Sequence, residues 1–158
     1  MPRVIVLDTF PLSSAAKQES RAGARISSLD QCRQWIEECI LAGNRIVAPA
    51  IAYYETLREL ERLNATSQIA RLRQFCHASP DRYISITDSD IDLAARLWAQ
   101  SRNTGTPTAS PEALDGDVIL AAQAINVGLP STEFVVATTN VGHLTQFVPC
   151  DHWSNIAP

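Results

Sequence analysis

The sequence has little that would place it in a membrane or outside the cell. Within its 158 residues, no apolar run reaches the roughly 18 residues that are needed to cross a bilayer. The first residues carry no apolar segment of signal-peptide length. With 46% hydrophobic residues, the chain can bury one adequate core. We therefore expect a cytoplasmic protein with no membrane association and a single domain spanning residues 1–158.

Closely spaced cysteines are also absent. The four cysteines stand apart, without any Cys-x-x-Cys pair. Cys32 and Cys39 fall on the apolar stripe of one predicted helix, which indicates buried free thiols. Cys150 is close to His152, but no second group of ligands has a suitable spacing. A zinc site is therefore not expected.

Positive charge is scarce. The chain has 13 basic and 17 acidic residues, giving a net charge of −4, whereas nonspecific coating of DNA requires a basic surface. Lys17 is the only lysine, so nearly all the basic residues are arginines, which bind phosphate through two hydrogen bonds. The composition thus excludes a protein that coats DNA. It does not exclude a protein that binds nucleic acid in a local groove.

Short apolar runs alternate with amphipathic helical stretches along the chain. Val4–Leu7 and Phe134–Ala137 are apolar throughout, which is typical of strands buried on both faces of a parallel sheet. Stripes spaced by three and four residues indicate the intervening helices. This alternation predicts an α/β protein with a three-layer α/β/α architecture and a mainly parallel central sheet. The predicted strands are 3–7, 45–48, 83–86, 134–137 and 148–150, and the predicted helices are 28–42, 50–63, 67–76, 87–98 and 118–127.

One predicted helix is far more apolar than the others. Val118–Val127 is apolar on nearly every face, which predicts a buried helix that Gly128 ends. Asp115 and Asp117 are expected at its entrance, after a polar loop at 101–112. Capping of the helix is a sufficient reason for either aspartate taken alone.

Several polar side chains with oxygen atoms follow predicted strands or open predicted helices. Ligands of parallel sheets bind at the carboxyl ends of the strands, so these side chains can converge there. Clustered carboxylates raise one another's pKa values unless a cation lies among them. A set of oxygen ligands favours Mg²⁺ or Mn²⁺, which support phosphodiester hydrolysis. The candidate residues are Asp8, Glu55, Asp115, Asp117 and Asn140. Taken singly, each acid has a structural explanation, as a helix cap, a turn residue or a surface ion pair.

Four segments stand in a distinctive order along the chain: Asp8-Thr9 after an apolar strand, Glu55 in the helix after the second strand, Asp117-Val-Ile-Leu-Ala-Ala, and Thr138-Thr-Asn140-Val-Gly-His143-Leu. Together they resemble the PIN domain, and most closely the VapC-type toxin ribonucleases of type II toxin–antitoxin pairs. The resemblance extends from Val4 to Trp153, and the Asp117 segment is its most specific part.

The resemblance implies a PIN-like fold and an endoribonuclease that cleaves structured or messenger RNA with Mg²⁺ or Mn²⁺. A metal-activated water would attack the phosphorus and leave a 3′-hydroxyl and a 5′-phosphate. Asp8, Glu55 and Asp117 would be the principal metal ligands, with Asp115 as an extra acid. Asn140 would hold a metal-bound water or orient a carboxylate. A homodimer and a cognate antitoxin protein are also implied.

The resemblance assigns the remaining candidates to substrate binding. Thr9 and Thr138 would position water or phosphate through their hydroxyl groups. Arg58 and Arg62 are candidates for contacts with RNA phosphates, although a solvated helix face explains them equally well. His143 stands where relatives vary, so no role is assigned to it.

Other classes of protein fit the sequence less well. A catalytically weak module that binds RNA or a protein partner would have no need of costly buried acids. A phosphatase would require a second aspartate where Phe10 stands, and a receiver domain would require a late lysine, whereas the only lysine is Lys17. A DNA-cutting relative is disfavoured by the short chain and the lack of a basic arch.

Overall fold

The computed structural model describes residues 3–18, 20–104, 111–128 and 133–158. The strands in these residues are β1 (Val4–Leu7), β2 (Arg45–Pro49), β3 (Tyr83–Ile84), β4 (Phe134–Thr138) and β5 (Cys150–His152). The helices are α1 (Thr9–Ala15), α2 (Ser28–Leu41), α3 (Ala50–Arg62), α4 (Thr66–His77), α5 (Asp88–Asn103), α6 (Pro111–Gly128) and α7 (Val141–Leu144). A turn of 3-10 helix, Trp153–Asn155, follows β5.

Strand β1 lies at the centre of a sheet in which neighbouring strands are parallel. The order across the sheet is β3-β2-β1-β4-β5, and Leu7 at the end of β1 pairs with Ala137 of β4. Every residue of β1 is buried, as its apolar run predicts. Because the strands are parallel, the carboxyl ends of β1, β2 and β4 lie at the same edge of the sheet. The site is built at this edge.

Helices cover both faces of the sheet. Ile5 of β1 packs in one apolar cluster with Trp35 of α2. Val6, the next residue, packs in a second cluster with Leu120 of α6, since successive side chains of a strand point to opposite faces. The predicted three-layer α/β/α fold with a parallel central sheet is confirmed. Among the helices of the described residues, none has the length and apolar character that a membrane span requires.

Helix α6 begins earlier than the sequence predicted. It starts at Pro111, a residue favoured in the first turn because its missing N–H group would have no helical partner there. The predicted loop at 101–112 is wrong at both ends, which belong to α5 and α6, and 105–110 lie outside the described residues. Asp115 and Asp117 therefore lie inside α6, more than a turn from its start. Capping does not explain them.

The starts of three other helices also differ from the prediction. Helix α1 forms in a segment without clear periodicity, with Asp8 as its N-cap. The pattern Ser28-Leu29-Asp30-Gln31 predicts a capping box for α2, but the box consists of Ser27 and Asp30, one residue earlier. Ser67 is a favoured capping residue before an apolar stripe and is therefore predicted to cap α4, but this prediction is wrong because Ala65 holds the N-cap position.

The spacing of apolar residues along α3 and α5 predicts that Tyr54 and Ile91 face the core, but both are exposed. Tyr54 of α3 is 56% exposed and Ile91 of α5 is 49% exposed. Both lie on an apolar stripe, but the width of the buried face is set by the neighbouring helix and not by the stripe. The last strand, β5, also lies two residues later than the predicted strand at 148–150.

Candidate active site

A cavity of about 390 Å³ lies at the sheet edge where β1 and β4 end, beside α3 and α6. Residues from four separate parts of the chain line it. The sequence-predicted residues among them are Asp8, Thr9, Glu55, Asp117 and Asn140. The other lining residues are Phe10, Ser13, Thr56, Glu59, Leu60, Gly116, Leu120 and Thr139. The sequence predicted only that each of these residues follows a strand or lies near the start of a helix. The structure shows that their side chains meet at one cavity.

Asp8 is held by hydrogen bonds to both of its carboxylate oxygens. It follows β1 directly, and its Oδ1 accepts a hydrogen bond of 2.7 Å from the backbone N–H of Thr9. Its Oδ2 accepts a hydrogen bond of 2.7 Å from the hydroxyl of Thr138 at the end of β4. Thr138 is fully buried, and its hydroxyl accepts in turn from the backbone N–H of Asn140 at 2.8 Å. Thr138 therefore fixes the orientation of Asp8 and does not line the cavity.

Glu55 lies against the backbone of α6. A Cβ atom added to Gly116 would be 3.4 Å from Glu55 Oε1, close to ordinary van der Waals contact, so the carboxylate lies directly beside the backbone of α6. The Arg58 guanidinium is 3.7 Å from Glu55 Oε2, and the Arg58 side chain is 59% exposed. The nearest positive charge to Glu55 is thus a surface side chain that solvent screens.

The acids at the cavity destabilise one another's charged forms. Burial is the largest cause that raises the pKa of Glu55, followed by the charge of Asp8, while Arg58 opposes the shift and Asp117 adds to it. Burial also raises the pKa of Asp117; nearby His143 opposes the shift, and the charge of Asp8 adds to it. Raised carboxyl pKa values are the expected result of desolvation and like charge. The site therefore carries more negative charge than its surroundings balance.

His143, to which no role was assigned from the sequence, is a neighbour of the site. Its Nδ1 is 3.6 Å from Asp117 Oδ2, and its side chain is 41% exposed. The residue lies in α7, the short helix that begins after Asn140. Its position soon after the end of β4 was a signal for proximity, but only the path of α7 decides which way the ring points.

The donor set is suitable for a hard cation, although the side chains do not form a closed cage. Carboxylate and amide oxygens surround the cavity, and these are the ligands that Mg²⁺ and Mn²⁺ prefer. Within the part of the chain that the structure describes, no three His, Cys, Asp or Glu side chains are grouped closely enough to hold a metal ion as they stand.

Several solved structures share this fold. FitAcB from Neisseria gonorrhoeae has a TM-score of 0.65 at 18% identity, covering 96% of this chain and 99% of the matched chain. VapBC2 from Rickettsia felis, bound to a promoter DNA fragment, has a TM-score of 0.67 at 15% identity, covering 95% and 98%. VapBC-1 from nontypeable Haemophilus influenzae has a TM-score of 0.64 at 15% identity, covering 96% and 98%.

The chain has the three-layer PIN-like fold that these structures share. Near-complete coverage of both chains supports this fold, while identities below 20% establish nothing beyond it. No protein-family model matches the sequence, and no curated protein does either. The fold implied by the sequence resemblance is thus confirmed by structural likeness alone.

In this PIN-like fold, Asp115 is not brought to the cavity. It is exposed and lines a separate groove between α5 and α6, beside Ile91 and Trp98. Two positions along a helix correspond to a rotation of about 200°, so Asp115 and Asp117 point to nearly opposite sides of α6. The structure therefore separates the extra acid from the three principal ones.

The two predicted arginines lie on the exposed side of α3. The Arg58 guanidinium lies 5.3 Å from the centre of the Tyr54 ring, in addition to its contact with Glu55. Arg62 forms an ion pair with Glu59, and this pair is exposed on both sides. Both arginines belong to α3, the helix that carries Glu55, but neither side chain lines the cavity.

Thr56 is a further lining residue that the sequence did not identify. It is only 3% exposed, and its hydroxyl oxygen has no hydrogen-bond partner among the described residues. A buried hydroxyl without a partner costs about 1–3 kcal/mol of stability. Such a group in a native structure requires an explanation.

A second, larger groove of about 700 Å³ lies between α1, α2 and α4. Basic side chains line it, among them Lys17, Arg71 and Arg82, and Glu37 is the only carboxylate among the described residues that line it. Its charge is opposite to that of the acidic cavity, so it does not resemble a cation site. The smaller, acidic cavity is therefore the candidate active site.

Proposed function

We propose that this chain is a metal-dependent endoribonuclease and the toxin of a toxin–antitoxin pair. The observation that carries the proposal is the convergence of Asp8, Glu55 and Asp117, from three distant parts of the chain, on one cavity. The excess of negative charge there supports a cation as the missing partner. The fold shared with FitAB and VapBC complexes supports the biological setting.

Mg²⁺, or Mn²⁺ in its place, fits the donor set of this cavity. Asp8, Glu55 and Asp117 would hold the ion, and Asn140 offers an amide oxygen from the same lining. When bound, such an ion neutralises phosphate charge and lowers the pKa of a water molecule. Asp115 is omitted from this set because it lies on the other side of α6.

The residues around the acids prepare the site for an RNA phosphate. Thr138 and the N–H of Thr9 fix Asp8 before the substrate arrives, so its orientation costs nothing during the reaction. Thr9 and Asn140 lie at the cavity with polar groups that can donate to phosphate oxygens. Arg58, exposed beside Glu55, is the cation best placed to attract the RNA backbone.

The proposed partners follow from the same assignment. A cognate antitoxin would bind the toxin and block its cleavage of RNA, and two copies of this chain would form a homodimer. Co-expression with the product of the neighbouring reading frame tests the first idea, and light scattering of the purified protein tests the second.

The decisive experiment measures cleavage of a mixed-sequence single-stranded RNA by the wild type, Asp8→Asn and Asp117→Asn. We expect cleavage by the wild type with Mg²⁺ and none with EDTA. Each variant should lose about 100-fold or more, because each removes a charge that binds the ion. Asp92→Asn is the matched control, since Asp92 is exposed on α5 and does not line the cavity.

The other outcomes discriminate between alternatives. Equal cleavage by all of these proteins, or cleavage that EDTA does not affect, would contradict the proposed mechanism. No cleavage by any of them would favour a module that only binds RNA or protein. Asp115→Asn tests the sequence prediction against the structure. Near-normal cleavage is expected, because Asp115 lies outside the cavity. A loss as large as that of Asp117→Asn would mean that Asp115 does belong to the site.

A further inference from the structure

Helix α3, which carries Glu55, begins without a capping side chain of its own. Its N-cap residue is Pro49, whose side chain makes no capping hydrogen bond. The first N–H groups of a helix have no partner within the helix, so a side chain at the N-cap normally accepts from one of them. Proline has no side-chain oxygen, and the N–H of Ile51 in the first turn therefore needs an acceptor from another element.

The acceptor comes from α6. Gln123 is only 1% exposed, and its Oε1 accepts a hydrogen bond of 3.2 Å from the N–H of Ile51. Its Nε2 donates a hydrogen bond of 3.1 Å to the carbonyl of Ile84, the last residue of β3. One buried amide thus joins α6 to the start of α3 and to the end of β3. Its loss would leave the N–H and the carbonyl without these partners in a buried place.

This bond and the acidic cavity lie along the same pair of helix faces. Ile51 and Glu55 are four residues apart, so they share a face of α3, one turn from each other. Gly116 and Gln123 are seven residues apart, so they share a face of α6, two turns from each other. Glu55 lies against Gly116 at one end of this contact. Ile51 is bonded to Gln123 at the other end.

The spacing between Glu55 and Asp117 depends on how α3 lies against α6, since each helix carries one of the two acids. The ion pair of Glu55 with Arg58 does not fix this spacing, because both residues belong to α3 and move together. Apolar packing between the helices is not directional, whereas a hydrogen bond restricts both a distance and an angle. The amide of Gln123 supplies such a directional contact one turn from Glu55.

We propose that Gln123 caps α3 from α6 and is a positioning residue, which keeps Glu55 at the distance from Asp117 that metal binding requires. This inference rests on the proposed nuclease function and adds to it a residue that touches neither the ion nor the RNA. Gln123 does not line the cavity, so its effect passes through Glu55.

The test measures binding of Mn²⁺ to the metal-free full chain, from the electron paramagnetic resonance of the free ion. Gln123→Met keeps the length of the side chain and removes both polar atoms. The affinity for Mn²⁺ should fall about three- to tenfold, toward the lower end of what loss of a group supporting a metal ligand costs. Hydrogen exchange of the Ile51 amide should become faster, because its acceptor is lost. All titrations are made well below the thermal midpoint of the least stable variant.

A double-mutant cycle distinguishes positioning of Glu55 from a general loss of stability. In the Glu55→Gln background, Gln123→Met should cause little further loss of Mn²⁺ affinity, because the acid that it positions has been removed. Steady-state cleavage at a Mn²⁺ concentration below saturation should show a lower kcat for Gln123→Met and a nearly unchanged KM for RNA. A residue in contact with the RNA would change KM instead.

Asn126→Leu is the matched control. Asn126 is also an amide of α6, but its Nδ2 donates at 2.6 Å to Asp90 Oδ1 in the first turn of α5. Leucine keeps the branching of asparagine and removes this hydrogen bond. The variant should lose stability, as Gln123→Met does, and keep the Mn²⁺ affinity and the kcat of the wild type.

The outcomes separate this inference from the function on which it rests. Wild-type Mn²⁺ affinity in Gln123→Met, or an equal loss with and without the Glu55 carboxylate, would overturn the positioning role alone. An equal loss in Asn126→Leu would overturn it too, because it would show a general effect of weakened packing. If the wild type neither binds Mn²⁺ nor cleaves RNA, the nuclease proposal and this inference both fail.

Discussion

Two carboxylate environments in this molecule have opposite electrostatics. At the start of α2, Asp30 accepts a hydrogen bond from Lys17 Nζ at 2.8 Å, and it also accepts from Ser20 and Ser27. The ion pair with Lys17 is the largest cause that holds the pKa of Asp30 well below its usual range. At the cavity, burial and like charge raise the pKa values of Glu55 and Asp117.

The difference teaches how a structural acid and a functional acid can be told apart. Asp30 is surrounded by donors and serves the capping box of α2, so its charge is already balanced. The nearest basic group to Glu55 is the exposed Arg58, and the nearest to Asp117 is His143, yet burial and like charge still raise the pKa values of both acids. A fold tolerates such an imbalance when a ligand supplies the opposite charge. The chain thus places its only lysine at the structural acid and leaves the cavity acids for an external cation.

The largest effect is expected at Asp8, a cavity acid whose oxygens are held by hydrogen bonds in the same way as those of the structural acid Asp30. Thr138→Val keeps the shape of the side chain but removes the hydroxyl that donates to Asp8 Oδ2. RNA cleavage should fall about 10- to 100-fold, as is typical when a group that orients a metal ligand is lost. Single-turnover cleavage measures this effect, and Thr145→Val, at an exposed threonine away from the cavity, is the control. Unchanged cleavage would mean that the orientation of Asp8 does not matter.

A smaller effect is expected at the start of α2, where replacement of Asp30 removes a carboxylate whose charge is already balanced. Asp30→Asn should lower the thermal midpoint at neutral pH by about 2–4 °C, because the helix cap loses its charge and Lys17 its partner. Since the pKa of Asp30 is lowered by folding, its stabilisation is present above the ordinary value of 3.8 and is lost as the pH falls further. Thermal melts across acidic pH should therefore show the gap between the two proteins closing. A gap that widens toward low pH would contradict the assignment.

The smallest effect has the opposite sign. Glu55→Gln should raise the thermal midpoint at neutral pH without metal by about 2 °C, because an ionised glutamate with a raised pKa destabilises the folded state. A carboxyl whose pKa is raised by folding stabilises the protein below its ordinary value, here 4.5, and this stabilisation is lost as the pH rises. The advantage of the glutamine variant should accordingly vanish in acid.

The control for that measurement lies in the same cavity. Glu59 pairs with Arg62, which lowers the pKa of Glu59, so Glu59→Gln should not stabilise the protein at neutral pH. Added Mg²⁺ should stabilise the wild type more than Glu55→Gln, since binding to the native state raises its stability. Equal shifts with Mg²⁺ in both proteins would remove Glu55 from the metal-binding set.

Local patterns in the sequence predicted much of the fold and less of the site. The apolar runs at Val4–Leu7 and Phe134–Ala137 predicted buried parallel strands because such strands are apolar on both faces. Asp8 and Glu55 were predicted at the edge of the sheet from their places after strands. Asp115 was predicted at the site with Asp117, and the rotation of α6 separates them. The start of α6 was misplaced because polar residues before it gave no helical periodicity.

The sequence by itself determined the fold class and which acids stand at the carboxyl ends of strands. Buried strands and the order of the elements can be recognised from the local spacing of apolar residues. Only the tertiary structure decided which polar groups meet. Thr138 bonds to Asp8 across two paired strands, His143 approaches Asp117 through the path of α7, and Thr56 has no partner within the described residues. These contacts depend on distances between elements that are far apart in sequence, and no local pattern encodes them.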